Sequence, residues 1–254
     1  MLSFEALNRG TRGTEMISRA HTVSFQGVEA CPVEVQCAVS PGLPAFSIVG
    51  LPDKAVSEAR DRVRSALAVM SIALPSKRIT INLSPADLPK EGSHFDLPIA
   101  VALLTALEIL PPEAAEETLS LGELSLDGTL VAITGALPAA LAAAEQDRSL
   151  LCPKGSSAEA AWVEATPVIG AASLTEVIRH FTGKGVIAPA TAGEVIETAS
   201  DKDLCDVKGQ QVARRALEIA AAGRHHPVHP DRPWPGLAGT GPVGLPAPDA
   251  AAHA

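Results

Sequence analysis

Within one central stretch of the chain, the hydrophobic pattern changes from the alternation of a strand to the continuous apolar run of a buried helix. Apolar and polar residues alternate over residues 79–83, which predicts a half-buried strand, and Pro85 ends it because proline cannot donate to a strand ladder. Residues 84–95 are polar and predict a loop. An apolar run over residues 97–110 then predicts a buried helix whose N-cap is the side chain of Asp96.

The residues before this stretch predict three strands and a helix. Alternation predicts strands over residues 21–25, 33–39 and 46–49. From Asp53, a favourable N-cap residue, apolar positions recur every three or four residues, which predicts an amphipathic helix over residues 53–70.

The other face of this helix is charged, and it carries Lys54, Glu58, Asp61, Arg62 and Arg64. Such a face could contact nucleic acid. The spacing favours ordinary solvated ion pairs, Glu58 with Arg62 and Asp61 with Arg64, because side chains three or four positions apart are neighbours on a helix.

The second half of the domain continues this mixture of strands and helices. The Asp127–Gly128 pair predicts a hairpin turn, and Ser173 with Glu176 predicts a capping box at a helix start. The predicted elements are a hairpin over 119–133, a helix over 135–145, a strand over 150–153, a helical turn over 156–162, a strand over 167–169 and a helix over 173–181.

These elements predict one α+β domain with a mixed sheet and packed helices over residues 16–182. Residues 1–15 are polar and aperiodic, so we interpret them as a disordered lead or an upstream mis-start. Residues 183–203 have no clear period and predict a linker.

Composition excludes several classes of function. Of the 254 residues, 46% are apolar, which suffices for a core, and only 3% are aromatic. The net charge of -9 argues against a stand-alone nucleic-acid binder. The cysteines show no metal-ligand spacing, and the longest apolar run, residues 97–110, is too short to span a membrane. We therefore expect a cytoplasmic chain with reduced thiols, no metal site and no membrane contact.

Four blocks of the sequence closely resemble one family. They are HTVSFQGVEACPVEVQ, PGLPAFSIVGLPDKAVSEARDRVRSAL, SPADLPKEGSHFDLPIA and DVKGQQVARRALEIAAAG. The chain is similar to the magnesium-chelatase-like AAA+ ATPases of bacteria, the ComM/YifB group of competence proteins, over about residues 16–223. This resemblance implies a Lon-protease-like domain with the ribosomal-protein-like fold. Intact members are expected to bind ATP and magnesium, form a hexameric ring and move DNA branches during natural transformation.

Residues 204–223 resemble the entry strand and helix of the AAA+ module. The resemblance implies that Asp206, Val207, Gly209 and Gln210 are the vestige of an adenine-side segment. The phosphate-binding pattern G-x-x-x-x-G-K-[ST] occurs nowhere in the sequence, so we expect this chain to bind neither ATP nor magnesium.

Residues 224–254 are dense in Pro and Gly, and we expect them to be a disordered, frameshifted tail. A dinucleotide-like pattern at Gly239, Gly241 and Gly244 lacks a flanking strand and helix, so it does not predict a site. The tail histidines, His225, His226 and His229, lack thiol or carboxylate partners and do not predict a metal site.

The likeness to Lon proteases also implies where a catalytic Ser-Lys dyad would lie. The positions that match it hold Asp96 and Leu137, which supply neither a hydroxyl nucleophile nor a base. We therefore expect a non-catalytic domain. The alternative is a degenerate peptidase that retains hydrolysis through Ser93.

A polar cluster in the central loop is the candidate interaction site of the domain. It consists of Lys90, Glu91, Ser93, His94 and Asp96. One interpretation is a capped, hydrogen-bonded loop. The other is a surface that binds DNA, a partner or the AAA+ ring of intact family members.

Overall fold

We describe the chain from a computed structural model. The structure describes residues 16–27, 29–194, 204–206, 208–209 and 211–223. The chain divides into two compact units, with the boundary between Gly193 and Glu194.

The first unit is built on a mixed seven-stranded sheet. Its strand order is β3-β4-β2-β1-β5-β8-β9, and β6 and β7 form a separate hairpin. Strand β2 pairs antiparallel with both β1 and β4, whereas β3 with β4 and the pairs among β1, β5, β8 and β9 are parallel. The strands are β1 (Met16–Gln26), β2 (Glu29–Ser40), β3 (Ala45–Val49), β4 (Arg78–Ser84), β5 (Thr118–Ser120), β6 (Glu123–Leu124), β7 (Leu130–Val131), β8 (Ser149–Pro153) and β9 (Val168–Ala171).

Six helices accompany these strands in the described part of the first unit. They are α1 (Lys54–Val69), α2 (Asp96–Ala106), α3 (Glu113–Glu116), α4 (Ala136–Glu145), α5 (Lys154–Ala160) and α6 (Leu174–Phe181), and a 3-10 turn, Ser93–Phe95, precedes α2. The predicted α+β class with a mixed sheet and packed helices is confirmed.

Two buried clusters cover the two faces of the sheet. The first packs α1 and α2 against β2 and β4 and includes Ala20; the second packs α4 and α5 against β5, β8 and β9 and includes Val23. Successive side chains of a strand point to opposite faces, so Ala20 and Val23, three positions apart on β1, mark opposite faces. Helix α2 is buried on almost every side, which explains why its sequence is apolar throughout.

Local capping and turn signals lie where the sequence predicts them. The side chain of Asp53 accepts from the Val56 amide, at 2.7 Å, and begins α1. Ser173 caps α6 through the Glu176 amide, and the β6–β7 hairpin turns at Gly128, whose φ is 85°. The predicted hairpin over residues 119–133 is wrong at its start, because Leu119 and Ser120 belong to β5, which pairs with β1 and β8.

Gly135 begins α4 in the left-handed region, with φ of 89°. A Cβ there would lie 2.6 Å from the Phe25 ring. Glycine is therefore required both by the backbone conformation and by the close approach of this ring.

Residues 183–193, within the predicted linker, bond back to the first unit. The amides of Ile187, Ala190 and Gly193 donate to His180 Nδ1, the Val168 carbonyl and the Ala158 carbonyl. The predicted segments 1–15, 195–203 and 224–254 lie outside the described residues. Within the described part, no helix is both long and apolar enough to cross a bilayer.

Candidate functional site

The polar loop between β4 and α2 is held by hydrogen bonds to several elements of the first unit. Of the five predicted interaction residues, Lys90, His94 and Asp96 are buried, Ser93 is half-buried and only Glu91 is exposed. The structure therefore places most of these side chains inside the domain rather than on a shared surface.

Lys90 is fully buried, and its ammonium donates to the Pro85 carbonyl. Its backbone forms an isolated parallel bridge with Pro52: its amide donates to the Leu51 carbonyl and its carbonyl accepts from the Asp53 amide. Burial lowers the pKa of Lys90. The Lys90 ammonium thus bonds within its own loop, so its charge is not available to a binding partner.

Asp53 links this loop to the start of α1. One carboxylate oxygen caps the helix, and the other accepts from the Gly92 amide at 3.2 Å. Gly92 has φ of 96°, a conformation that favours glycine, so the loop turns here immediately before the Ser93–Phe95 turn.

Ser93 contacts the hairpin that follows α2. Its hydroxyl donates to a carboxylate oxygen of Glu123 on β6, at 2.5 Å. Hydrogen bonds between a hydroxyl and a carboxylate are short and strong, so this contact fixes the loop to the hairpin.

His94 is buried between two aromatic rings. Its ring centroid lies 5.1 Å from Phe25 and 4.4 Å from Phe95, and Nε2 lies 2.9 Å from the Val23 carbonyl of β1. Burial lowers the pKa of His94, although the Val23 carbonyl and Asp53 oppose that change. The neutral imidazole therefore serves as a packed donor to β1.

Asp96 is fully buried and forms an ion pair with Arg62 of α1. Arg62 Nε lies 2.6 Å from Oδ2 and Nη2 lies 2.9 Å from Oδ1, and the Leu124 amide donates to Oδ2 at 3.0 Å. The Asp96 carboxylate raises the pKa of Arg62. Burial raises the pKa of Asp96, and the Arg62 and Leu124 donors oppose that rise.

Two predictions about this pair are wrong. Asp96 is the first helical residue of α2, not its N-cap, because its carboxylate is turned to Arg62 and Leu124. Arg62 is not merely a solvated partner of Glu58: it contacts Glu58 at 3.8 Å, but its side chain is only 19% exposed and its two shorter ionic contacts go to Asp96.

The predicted pair of Asp61 with Arg64 does not form among the described ion pairs. Asp61 instead contacts the adjacent Arg60 at 3.1 Å. Sequence reasoning also missed Glu123 as the partner of Ser93. The sequence could have predicted a cationic partner for Asp96. A carboxylate at the start of a fully apolar helix becomes buried, and it then requires a cation or several hydrogen-bond donors.

The geometry gives no support to peptidase chemistry. Asp96 is engaged by Arg62, and Leu137 is an apolar side chain, 38% exposed, in the first turn of α4. The Ser93 hydroxyl faces Glu123 while His94 donates to β1, so neither a lysine nor a histidine is placed to activate Ser93.

The second unit contains part of the predicted adenine-side segment. Asp206 is exposed in a 3-10 turn, Leu204–Asp206, and Gly209 has φ of 73°. Val207 and Gln210 lie outside the described residues. Helix α7 (Gln211–Ala222) follows, and its Val212 and Ile219 are 86% and 56% exposed. In the part of the chain that the structure describes, no cluster of three or more acidic, histidine or cysteine side chains could hold a metal ion.

We predict that Arg62→Ala lowers the free energy of unfolding by about 3–5 kcal/mol, because it leaves a buried carboxylate without its cation. Urea unfolding measures this loss. Arg60→Ala is the matched control: the Arg60 side chain is 45% exposed and its described ion pair is with the adjacent Asp61, so its removal should change the free energy of unfolding far less than Arg62→Ala does. A double variant, Arg62→Met with Asp96→Asn, should recover part of the loss. Equal effects of the two single variants would contradict the prediction.

We predict that His94 makes the domain less stable in acid. Its folded pKa lies below the ordinary value of 6.5, so the unfolded chain binds the proton more readily. The contribution of His94 to the free energy of unfolding should therefore be fully present above pH 6.5. It should be lost as the pH falls from 6.5 through the pKa of His94 in the folded state. His94→Gln should flatten this part of the profile of unfolding free energy against pH. An unchanged slope in the variant would count against the assignment.

Comparisons with known proteins identify the family. Residues 33–156 match the family model described as subunit ChlI of Mg-chelatase, and residues 203–240 match a second one, magnesium chelatase, subunit ChlI. The second match continues past Gly223, so the predicted end of the resemblance at that residue is wrong.

Individual relatives agree with these matches. The chain is 41% identical to the uncharacterized protein YifB of Escherichia coli over 83% of this chain and 42% of that protein. It is 42% identical to the competence protein ComM of Haemophilus influenzae, over 79% of this chain and 40% of the relative. An uncharacterized protein of Mycobacterium tuberculosis, Rv2897c, is 41% identical over 83% and 42% of the two chains. The chain thus spans about two fifths of the length of these relatives. From these matches, the chain belongs to the magnesium-chelatase-like family, in the group that contains ComM and YifB.

Proposed function

We propose that residues 16–193 are the non-catalytic N-terminal domain of a ComM/YifB-like ATPase. The observation that carries this proposal is the state of the two positions matched to the Lon dyad. One holds Asp96, fully buried in an ion pair, and the other holds the apolar Leu137. A domain with the Lon-like, ribosomal-protein-like arrangement but with these residues serves as a scaffold, because it has no activated nucleophile there.

We propose that residues 204–223 are the entry to an AAA+ module. The second family match begins at residue 203, close to the boundary between the two compact units. Helix α7 leaves Val212 and Ile219 exposed, which suits a helix that packs against further elements of such a module.

The activity of the whole protein is proposed from its relatives. The Haemophilus relative is named a competence protein, so we propose that the intact protein acts on DNA during natural transformation, in the cytoplasm. ATP and magnesium would be cofactors of the motor. The ring of AAA+ modules is the proposed partner of the N-terminal domain, and DNA is a partner of the intact protein only.

Within the candidate interaction loop, we propose a structural role for the buried members and a contact role for Glu91 alone. Lys90, His94 and Asp96 have their polar groups bonded inside the domain, whereas Glu91 is exposed. A single exposed carboxylate in a rigid loop can orient a contact without itself supplying much affinity.

The 254-residue chain should not bind Mg-ATP with a micromolar dissociation constant. It contains no G-x-x-x-x-G-K-[ST] pattern, and an adenine-side segment alone supplies none of the amides and charge that bind phosphates. Isothermal calorimetry measures this, with the Haemophilus relative titrated in parallel. Micromolar binding to the 254-residue chain would overturn the expectation.

A chimera tests the proposed role directly. The matching N-terminal region of the Haemophilus competence protein is replaced by residues 16–193 of this chain, and transformation frequency is measured in that bacterium. We expect transformation to be retained at equal protein level, and to be unchanged when the chimera carries Ser93→Ala. A drop caused by Ser93→Ala in a chimera whose unfolding free energy is unchanged would favour chemistry at the hydroxyl over loss of the Ser93–Glu123 contact, and a stable but inactive chimera would refute the scaffold role.

A further inference from the structure

The two edges of the seven-stranded sheet differ. At one edge, β9 is accompanied by residues that follow α6, since the Ala190 amide donates to the Val168 carbonyl at 2.8 Å. At the other edge, β3 pairs with β4 on its inner side, and no described strand lies on its outer side. Among the described residues, the sheet therefore has one covered edge and one open edge.

Within the part of the chain that the structure describes, the outer side of β3 has backbone groups without hydrogen-bond partners. The parallel register sets Ala45, Ser47 and Val49 opposite Arg78, Thr80 and Asn82, and the Ala45 amide donates to Lys77 at 3.4 Å. In this pattern the odd-numbered residues of β3 bond to β4. The peptide groups of Phe46 and Ile48 therefore point outward, because backbone groups alternate in direction along a strand.

Within its five residues, β3 lacks the charges and prolines that protect many exposed edges. Soluble proteins keep other chains away from an open strand with charges, proline or a bulge. The five residues of β3, AFSIV, contain neither a charge nor a proline. Phe46 and Ile48 pack against the core, so the solvent face of the strand shows only Ala45, Ser47 and Val49.

The pattern of β3 is nearly symmetric about Ser47. In an antiparallel pair of two such strands centred there, Phe46 of each copy lies opposite Ile48 of the other and exchanges two backbone hydrogen bonds with it. Ala45 then lies opposite Val49. Two further exposed apolar residues, Leu43 at 82% and Leu51 at 59%, flank the strand at its two ends.

We propose that β3 is a self-association edge, at which two copies of this chain join their sheets through an antiparallel β3–β3 pair centred on Ser47. The occupant is a second copy because the edge complements itself about one residue. The strand also carries no charge, so a net charge of -9 per chain places no like charges directly opposite one another on the paired strands. Five-residue strands bury less than the roughly 1,600 Å² of a standard interface, so the dimer is concentration-dependent.

A disulfide trap tests the pairing and its register. At the centre of the pair, the two residues 47 form a non-hydrogen-bonded pair with Cα atoms about 4.5 Å apart, within the range of a disulfide. The 254-residue chain is therefore made with Ser47→Cys, and with Cys31→Ser and Cys205→Ser to remove the accessible thiols. Cys37 and Cys152 stay, because burial raises the pKa of each to about 12 and keeps the thiolate scarce.

The matched control for the trap is Thr80→Cys in the same background. Thr80 lies beside Ser47 on β4, one strand inward, where two copies joined at the edge hold their residues 80 too far apart to cross-link. Under mild oxidation we expect Ser47→Cys to form a linked dimer on the order of tenfold faster than Thr80→Cys. Equal rates would overturn the proposal and indicate random collision or association through the sheet face.

A second measurement needs no new thiol. Val49→Lys places a charge beside the edge, and Val69→Lys is the control because Val69 is exposed and lies on α1 rather than on β3. Sedimentation velocity over a concentration series should show the dimer fraction of the unmodified chain fall with Val49→Lys and persist with Val69→Lys. A chain that stays monomeric at every concentration, or a Val49→Lys variant that dimerises as before, would also overturn the proposal.

Discussion

The arrangement of α1, α2 and the loop between β4 and α2 depends on the ion pair of Arg62 and Asp96. A carboxylate with no exposed surface is costly to desolvate, and here three N–H donors compensate it: two from Arg62 and one from the Leu124 amide. Arg62 reaches it from α1 and also donates to the Ala55 carbonyl. One charged pair thus fixes the position of both helices and of the hairpin.

The neighbouring polar groups extend the same junction to the sheet. Asp53 ties the start of α1 to Gly92, Ser93 bonds to the hairpin at Glu123, and His94 donates to β1 at Val23. Each of these groups could serve chemistry in another setting. In this domain each is used to satisfy a buried backbone or side-chain partner, and a group so engaged is held in one orientation.

Our proposal that the domain is a scaffold rests on this use of polar residues. In that proposal, the start of α2 and the first turn of α4 match the two positions from which a Ser-Lys dyad would act. The first position holds Asp96, whose ion pair with Arg62 stabilises the fold. The second holds Leu137, whose side chain is partly exposed to solvent. Among the described residues, Glu91, Leu137 and the outer edge of β3 are exposed features that our proposals leave open to contact.

The sequence by itself determined the features that depend on neighbours along the chain. Alternation located the strands, the three-to-four-residue period located the helices, and Asp53, Ser173 and Asp127–Gly128 marked helix starts and a turn. Each of these signals acts over a few residues, so no knowledge of the sheet is needed to interpret it.

Only the tertiary structure decided the strand order, the open and covered edges, and the partners of the loop. Asp96 meets Arg62 across 34 positions, Ser93 meets Glu123 across 30, and His94 meets Val23 across 71. Asp96 looks like an N-cap when only its neighbours are considered, because a short carboxylate before an apolar helix suits that role. Its actual partners are brought to it by the packing of α1 and the hairpin, and a cation distant in sequence outcompetes the local amides for the buried carboxylate.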